Sequence, residues 1–447
     1  MSRSANDNAL QPMGFAPPDD RTERRDGTWP LYRRAVLSAL RPMRHGALTL
    51  TMPDGESLRF GGGSNPRGSR FGLDARIYVL REDFFRRCFY YGDIGLAEAY
   101  MAGDWITEDL AEVVSWFILN AEGMTSQSII RRHILNWLGW INNLGHRLRA
   151  NSIEKSRQNI AAHYDLSNEF FSLFLDSSMT YSSALFETGA DSRRSSAELL
   201  EEAQYAKFRR LCDLLDLKSG DRVLEIGGGW GAFSRYAAKR YGCHVTTITI
   251  SEEQFAWAER LRKEESLEER IDLRLLDYRK LTGRFDKIVS IEMLEAVGHE
   301  YFDAFFSKCD ELRAPNGLMA LQVITCPEAR YESMRRGVDF IQKHIFPGGL
   351  IPSIGALLDS VERTTDFTMR DLFDFGDSYA QTLRLWSENF EARLESVRGL
   401  GFDETFIRKW RYYFMYCLAA FRMRHVSVVQ MLLTRPNNHA IAAGNRP

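Results

Sequence analysis

Arg222-Val223-Leu224-Glu225-Ile226-Gly227-Gly228-Gly229-Trp230-Gly231 is a short apolar run that breaks into a glycine-rich turn, and residues 232–240, AFSRYAAKR, follow it with helical spacing. Such a turn lets the backbone bend tightly and approach a ligand, with the amides of a helix N-terminus aimed at it. Many nucleotide-binding folds share the turn, so the neighbouring strands have to separate them. The second apolar run, HVTTITI, ends in Thr249-Ile250-Ser251 with Gln254 one turn later, and the third, IDLRLLD, leads into Asp277-Tyr278-Arg279. A nicotinamide dinucleotide would want Asp or Glu at the end of the second strand for its ribose diol. Here that strand ends in Thr and Ser, whereas an acid follows the third strand, where it can accept from an adenine amino group. With Glu225 at the head of the turn, this pattern favours S-adenosylmethionine over a dinucleotide.

Outward from the turn, RVLEI, HVTTITI, IDLRLLD, DKIVSIEML and GLMALQVI alternate with helical segments, and FTMRDLFDF and VSVVQMLLTR supply two further candidate strands. Apolar runs alternating with helices predict a mostly parallel sheet covered on both faces. The expected fold is α/β, with the seven-stranded, Rossmann-like plan of a class I methyltransferase.

The preceding chain has another character. Residues 1–30 are polar and are expected to be a disordered tail. Residues 31–125 are expected to form a small α+β domain: LTLT and ESLRF flank Asp54-Gly55 as a hairpin, IYVL is strand-like, and GLAEAYMAGDW and LAEVVSWFILN have helical spacing. GGGSNPRGS lacks both a preceding apolar strand and a following Lys-Ser/Thr, so it is read as a loop rather than a phosphate cradle. Residues 126–157 are read as a basic linker helix. Arg131, Arg132, Arg147, Arg149, Lys155 and Arg157 face only Glu154 in its charged part, and Trp137 and Trp140 lie between them. A helix lying on an anionic bilayer has this composition. So does a solvated helix that packs its Trp face on the next domain, and the two readings stand side by side.

Composition narrows the setting. The 447 residues, 44% hydrophobic and 26% charged, call for more than one domain. Their 58 Lys and Arg against 60 Asp and Glu leave a formal charge of −2, so no global field draws nucleic acid. The six cysteines are scattered singly, without the pairs that zinc or redox motifs need, which fits a reducing cytosol and no metal. No apolar stretch approaches the roughly 18 residues of a membrane span. A cytoplasmic protein, peripheral on the inner face of the membrane, is expected.

The longest motifs are QNIAAHYDLSNEFFSLFLDSSMTYSSALF, VLEIGGGWGAFS, SIEMLEAVGHEYFDAFF, FIQKHIFPGGLIPS and YYFMYCLAAFRMR. Together they make the chain, from about Gln158 to Pro436, resemble the cyclopropane fatty acid synthases and mycolic acid methyltransferases, and GLAEAYMAGDW resembles the small N-terminal domain of bacterial members. The catalytic domain is accordingly taken as 158–436, with a tail from 437 to 447. The resemblance implies transfer of a one-carbon unit from S-adenosylmethionine to the cis double bond of an unsaturated acyl chain in a membrane phospholipid. It puts Tyr181 and Ser182 at the methionine end of the cofactor, Gly227 and Gly229 beneath it, Thr249 and Gln254 at the ribose, and Asp277, with Tyr278 beside it, near adenine. It also implies a bicarbonate ion held by Glu295, Tyr379 and the backbone of Ile324. A homodimer is left open.

An isolated alkene is a poor nucleophile, so such a site has to hold the reactants in line in a water-free slot. Methyl transfer leaves a carbocation, which the faces of Phe170, Phe171, Tyr181 or Trp386 could stabilise if these rings do not simply fill a core. Closing a ring then requires a base. Glu295 is a charged residue in an apolar run and would orient the bicarbonate with Tyr379, while His163 of the His-Tyr-Asp triplet is a further candidate. Ser183 and Gln322 stand where many bacterial synthases have Cys and His. Both can hydrogen-bond an anion, and a changed geometry there would redirect the cation to a methyl-branched or methylated unsaturated product. A catalytically silent lipid-binding homologue is the remaining alternative. The turn reads Gly-Gly-Gly where close relatives often read Gly-Cys-Gly, a change expected to matter little to cofactor binding.

Overall fold

The computed structural model describes residues 30–63, 72–120, 166–187 and 195–438. The N-terminal tail to residue 29, the basic segment 126–157, His163 and the end of the chain from residue 439 lie outside these.

A seven-stranded sheet is built from β5 (Arg222–Ile226), β6 (His244–Thr249), β7 (Ile271–Leu275), β8 (Phe285–Ile291), β9 (Arg313–Thr325), β10 (Thr368–Asp374) and β11 (Ser427–Thr434). Its order is β10-β11-β9-β8-β5-β6-β7. The five strands from β5 to β9 are mutually parallel, and β11 inserts antiparallel between β9 and β10. This is the expected sheet of a class I methyltransferase. The apolar runs are continuous because both faces are covered: Val223, Val245 and Val289 pack with Phe208, Leu211 and Phe233 on one side, and Leu224, Ile248 and Ile288 with Phe302, Phe305 and Phe306 on the other. The chain winds from β5 to β7 in one direction and from β8 to β9 in the other, so a crevice opens beyond the carboxyl ends of β5 and β8, where ligands bind in such sheets.

The second sheet has four strands in the order β2-β1-β3-β4, formed by β1 (Gly46–Thr51), β2 (Ser57–Gly63), β3 (Asp74–Val79) and β4 (Trp105–Ile106). The hairpin turns through Gly55, at φ 87°. Two details depart from the sequence reading. GLAEAYMAGDW is not helical throughout, because the helix Asp83–Met101 stops and Gly103, at φ 74°, carries the chain into β4 at Trp105. β9 begins at Arg313, ahead of its apolar run. The Arg313 side chain is buried and its Nη2 reaches Asp310 at 3.0 Å, so the charge that starts the strand is paired.

Candidate functional site

The glycine turn is fastened to its neighbour strand. The Gly227 and Gly228 amides both donate to the Ile248 carbonyl, at 3.1 and 2.9 Å. Gly227 and Gly229 have φ of 85° and 53°, in the left-handed region that favours glycine. A Cβ on Gly228 would lie 2.0 Å from Thr247 Oγ1, whereas one on Gly229 would meet nothing within 4 Å, because that residue faces open space. Thr247 Oγ1 in turn donates to Glu225 Oε2 at 2.6 Å. Burial pushes the Glu225 carboxyl up to about 7, against the hydrogen bonds from Thr247 and Ser234.

Beyond β6, Thr249 Oγ1 donates to Gln254 Oε1 at 2.8 Å, and Ser251 caps the helix Glu252–Glu264 by accepting from the Gln254 amide. After β7, Asp277 accepts from the Arg279 amide and Nε, each at 2.9 Å, and from Nη2 at 2.6 Å. Burial works against its ionisation, yet the Arg279 guanidinium outweighs this and holds the carboxyl below the usual range.

A cavity of about 570 Å³ runs from this turn to a wall of aromatic side chains. Gly227, Gly229, Thr249, Gln254, Asp277 and Tyr278 line its polar end. Tyr181, Ser182, Phe346, Tyr379, Tyr413 and Phe421 line the other, together with Ile324, Glu292 and Glu295. Tyr181 and Tyr413 share a hydrogen bond between their hydroxyls at 2.9 Å, which fixes two rings of the wall. A polar, glycine-floored end joined to an aromatic one suits an amino acid–nucleoside conjugate beside an apolar chain, so the residues present fit S-adenosylmethionine.

The carboxylate that organises the aromatic end was not among the candidates. Glu292 Oε1 accepts from the Ser183 amide at 2.9 Å and from Gln322 Nε2 at 2.8 Å, and Oε2 accepts from the Tyr379 hydroxyl at 2.8 Å. Gln430 Nε2 holds Gln322 Oε1 at 3.0 Å, which orients the Gln322 amide toward Glu292. Burial raises the Glu292 carboxyl above its ordinary value, opposed by the Lys207 charge and by these donors. Lys207 is itself buried and donates to Ser182 Oγ at 2.7 Å; burial brings it down to about 7, against the fields of Glu292 and Asp176. Glu292 also sits at φ 49°, a left-handed conformation that costs a residue with a side chain on the order of 1–3 kcal/mol.

The Tyr379 hydroxyl is therefore taken by Glu292, whereas the sequence reading has it hold a bicarbonate ion together with Glu295 and Ile324. Glu295 Oε1 accepts from the Ile324 amide, and its Oε2 is buried with no hydrogen-bond partner among the described residues. Burial, and then the charge of Glu292, push Glu295 up to about 8. Ser183 and Gln322 are fully buried behind Glu292 and bond to it instead of facing the cavity. Of the four aromatics considered, Tyr181 faces the cavity. Phe170, Phe171 and Trp386 are wholly buried behind it and fill the core, with Tyr181 packed 5.3 Å from both Phe171 and Trp386. The sequence did carry one signal for Glu292, since it is the first of two carboxylates in the apolar run that holds Glu295.

The family model described as mycolic acid cyclopropane synthetase matches residues 151–431. Tuberculostearic acid methyltransferase of Mycobacterium tuberculosis is 36% identical over 415 residues, covering 91% of this chain and 93% of that protein. Cyclopropane-fatty-acyl-phospholipid synthase of Escherichia coli is 36% identical over 366 residues, 81% of this chain and 88% of that one. Among solved structures, mycolic acid cyclopropane synthase CmaA1 complexed with SAH and CTAB is 32% identical with a TM-score of 0.56, covering 62% of this chain and 98% of its own. The cyclopropane synthase MmaA2 from Mycobacterium tuberculosis has the same TM-score and coverage at 30% identity.

Proposed function

This chain belongs to the mycolic acid cyclopropane synthetase family and is an S-adenosylmethionine-dependent methyltransferase, and from that premise we propose that its acceptor is the cis double bond of an unsaturated acyl chain in a membrane phospholipid, with a cyclopropane ring as product. One observation carries this reading: a single cavity joins the glycine turn to an aromatic wall with carboxylates at its edge.

Gly227 and Gly229 would lie under the cofactor, Thr249 and Gln254 at its ribose, Asp277 and Tyr278 at its base, and Tyr181 and Ser182 at its methionine end. Bound there, S-adenosylmethionine supplies an electrophilic methyl group, whose arrival at one alkene carbon leaves the other cationic. Tyr181, Phe346 and Tyr413 exclude water from that position and offer it ring faces, which attract a cation. The bicarbonate that the resemblance implies fits poorly. Tyr379 and the Ile324 amide are already engaged by Glu292 and Glu295, and a further anion would have to sit beside both carboxyl groups. No step is assigned to it.

A substrate held in a bilayer requires access to one. No helix among the described residues is long and apolar enough to cross a membrane. Peripheral docking on the cytoplasmic face through the Trp137 and Trp140 segment, with its arginines on anionic headgroups, meets the requirement.

Lipids extracted from a host expressing the chain test the function. Mass spectrometry is expected to show acyl chains heavier by one methylene, and proton NMR the high-field protons of a cyclopropane ring. Branch methyls or vinylic methyl signals in their place would assign the methyl-branched or methylated unsaturated product. Unmodified acyl chains would reject the reading.

A further inference from the structure

Ring closure needs a proton acceptor beside the cation, and the Tyr379 hydroxyl and the Ile324 amide, which the resemblance assigns to a diffusible one, are already engaged within the chain. The Ser183 amide, Gln322 Nε2 and the Tyr379 hydroxyl converge on one carboxylate, and the Ile324 amide is taken by a second. We propose that Glu292, a built-in carboxylate occupying the place of a bound anion, accepts the proton that leaves as the ring closes. The proposal rests on the alkene-methylation reading above and names the base within it.

The two carboxyl groups of this region are unequal, which assigns their roles. Burial raises both carboxyls, but at Glu292 three hydrogen-bond donors and the field of Lys207 oppose it and favour the anion. Glu295 has the Ile324 amide and faces the negative charge of Glu292, which favours its neutral form. When the environments of paired acids push them apart, the ionised member is the base. Within Glu292 the oxygens also differ. Oε1 takes two donors while Oε2 takes Tyr379 alone, leaving Oε2 the capacity to accept a proton. In the step itself, a C–H bond of the newly added methyl group breaks. Its electron pair forms the third C–C bond to the cationic carbon, and the proton passes to Glu292, so cation and carboxylate neutralise each other.

The backbone supports a functional reading of the residue. Glu292 holds a left-handed φ of 49° where glycine would be unstrained, so the fold tolerates strain to keep a carboxylate there. The same fact makes Glu292→Gly a usable variant, because it relieves the backbone while freeing the three donors.

The experiment uses the purified full chain, S-adenosylmethionine and vesicles of an unsaturated phospholipid, in bicarbonate-depleted and bicarbonate-supplemented buffer. The parent is expected to form the ring at equal rates in both. Glu292→Gln should bind the cofactor as the parent does by calorimetry, yet form the ring at least ~100-fold more slowly in either buffer, the usual scale of a lost general base. Glu292→Gly should be as impaired without bicarbonate and recover ring formation when it is added, since the anion can then occupy the freed donors. A parent that forms the ring only with bicarbonate, or a Glu292→Gln that matches the parent, overturns the proposal while leaving alkene methylation intact. A parent that leaves the acyl chains unmodified in both buffers overturns the underlying reading and the proposal with it.

Discussion

Glu295 stands in a position that turns pH into stability. Burial, with the charge of Glu292 added, pushes its carboxyl up to about 8, above the roughly 4.3 of an unfolded chain. A group whose folded pKa is raised stabilises the fold fully below the unfolded value and loses that contribution as pH rises through the folded one. The window is therefore about pH 4.3 to 8. Glu295→Gln mimics the protonated acid at every pH, and it keeps an oxygen for the Ile324 amide. Its melting temperature is expected to exceed the parent's by an increment that grows from pH 5 to pH 8 and then levels, the underlying stability difference reaching a few kcal/mol at about 1.4 kcal/mol per pKa unit. Thermal scans across that range decide the matter, and a difference that does not change with pH would mean that Glu295 is ionised in the fold. Sequence made this carboxylate conspicuous as a charge within IVSIEMLEAV but gave no reason to prefer it over Glu292. The distinction is set by the left-handed turn at Glu292 and by donors arriving from Ser183, Gln322 and Tyr379, which are far away along the chain.

At the scale of the element, the glycine turn and its two flanking strands were readable because each link is local. A strand, three glycines and a helix leave little choice of backbone, and the acid, Thr and Asp that follow are fixed by strand ends. The adjustment concerns the middle glycine. Sequence comparison suggested that its identity matters little, yet β6 brings Thr247 so close that a Cβ at residue 228 would fall 2.0 Å from Oγ1, within the Thr247–Glu225 hydrogen bond. Gly228→Ala is thus expected to displace Thr247, cost the buried Glu225 carboxyl its Thr247 donor, and destabilise the chain by about 1–3 kcal/mol. Gly229→Asp is expected to behave differently. Its side chain has open space, and Asp tolerates a left-handed φ better than most residues, so the fold persists while a carboxylate intrudes on the cofactor's end of the cavity. Thermal unfolding and cofactor calorimetry on both variants separate the effects: Gly228→Ala should melt lower than Gly229→Asp, and Gly229→Asp should show no cofactor binding. Tight binding by a folded Gly229→Asp would remove this turn from the cofactor site. The aromatics were less legible, because Phe170 and Trp386 carry no local sign of whether they fill a core or face a substrate. Packing of the helices Gly376–Ala392 and Glu404–Arg422 decides it.

Across the whole molecule, the small sheet shares its apolar cluster with the helices that wall the cavity, while the two faces of the large sheet pack into clusters of their own. The shared cluster runs from Leu48, Leu50 and Ile77 of the small sheet through Trp105 and Trp116 to Trp410 and Phe414 on the helix Glu404–Arg422. The helix Asp83–Met101 reaches the cavity, where Asp93 joins its lining beside Asp339 and Tyr416. A polar tie reinforces this contact. Glu98 Oε1 accepts from Lys343 Nζ at 2.7 Å and from His344 Nε2 at 3.0 Å, on the short helix Phe340–His344 that follows the cavity-lining Asp339. The hydrogen bond from His344, opposed by burial and aided by Lys343, holds the Glu98 carboxyl down to about 2. A depressed carboxyl contributes stability that is present above the unfolded value near pH 4.3 and is lost as pH falls through about 2. With the Glu98 side chain 18% exposed, the contribution at neutral pH is at most about 3 kcal/mol and is reduced by partial screening. Glu98→Gln is therefore expected to lower the melting temperature at pH 7, with the deficit narrowing as the pH is taken below 4. Raising the ionic strength at pH 7 should narrow it as well, since part of the tie is an ion pair within reach of solvent. A deficit that stays constant in both titrations would show that Glu98 holds the small sheet to the cavity wall through packing rather than charge.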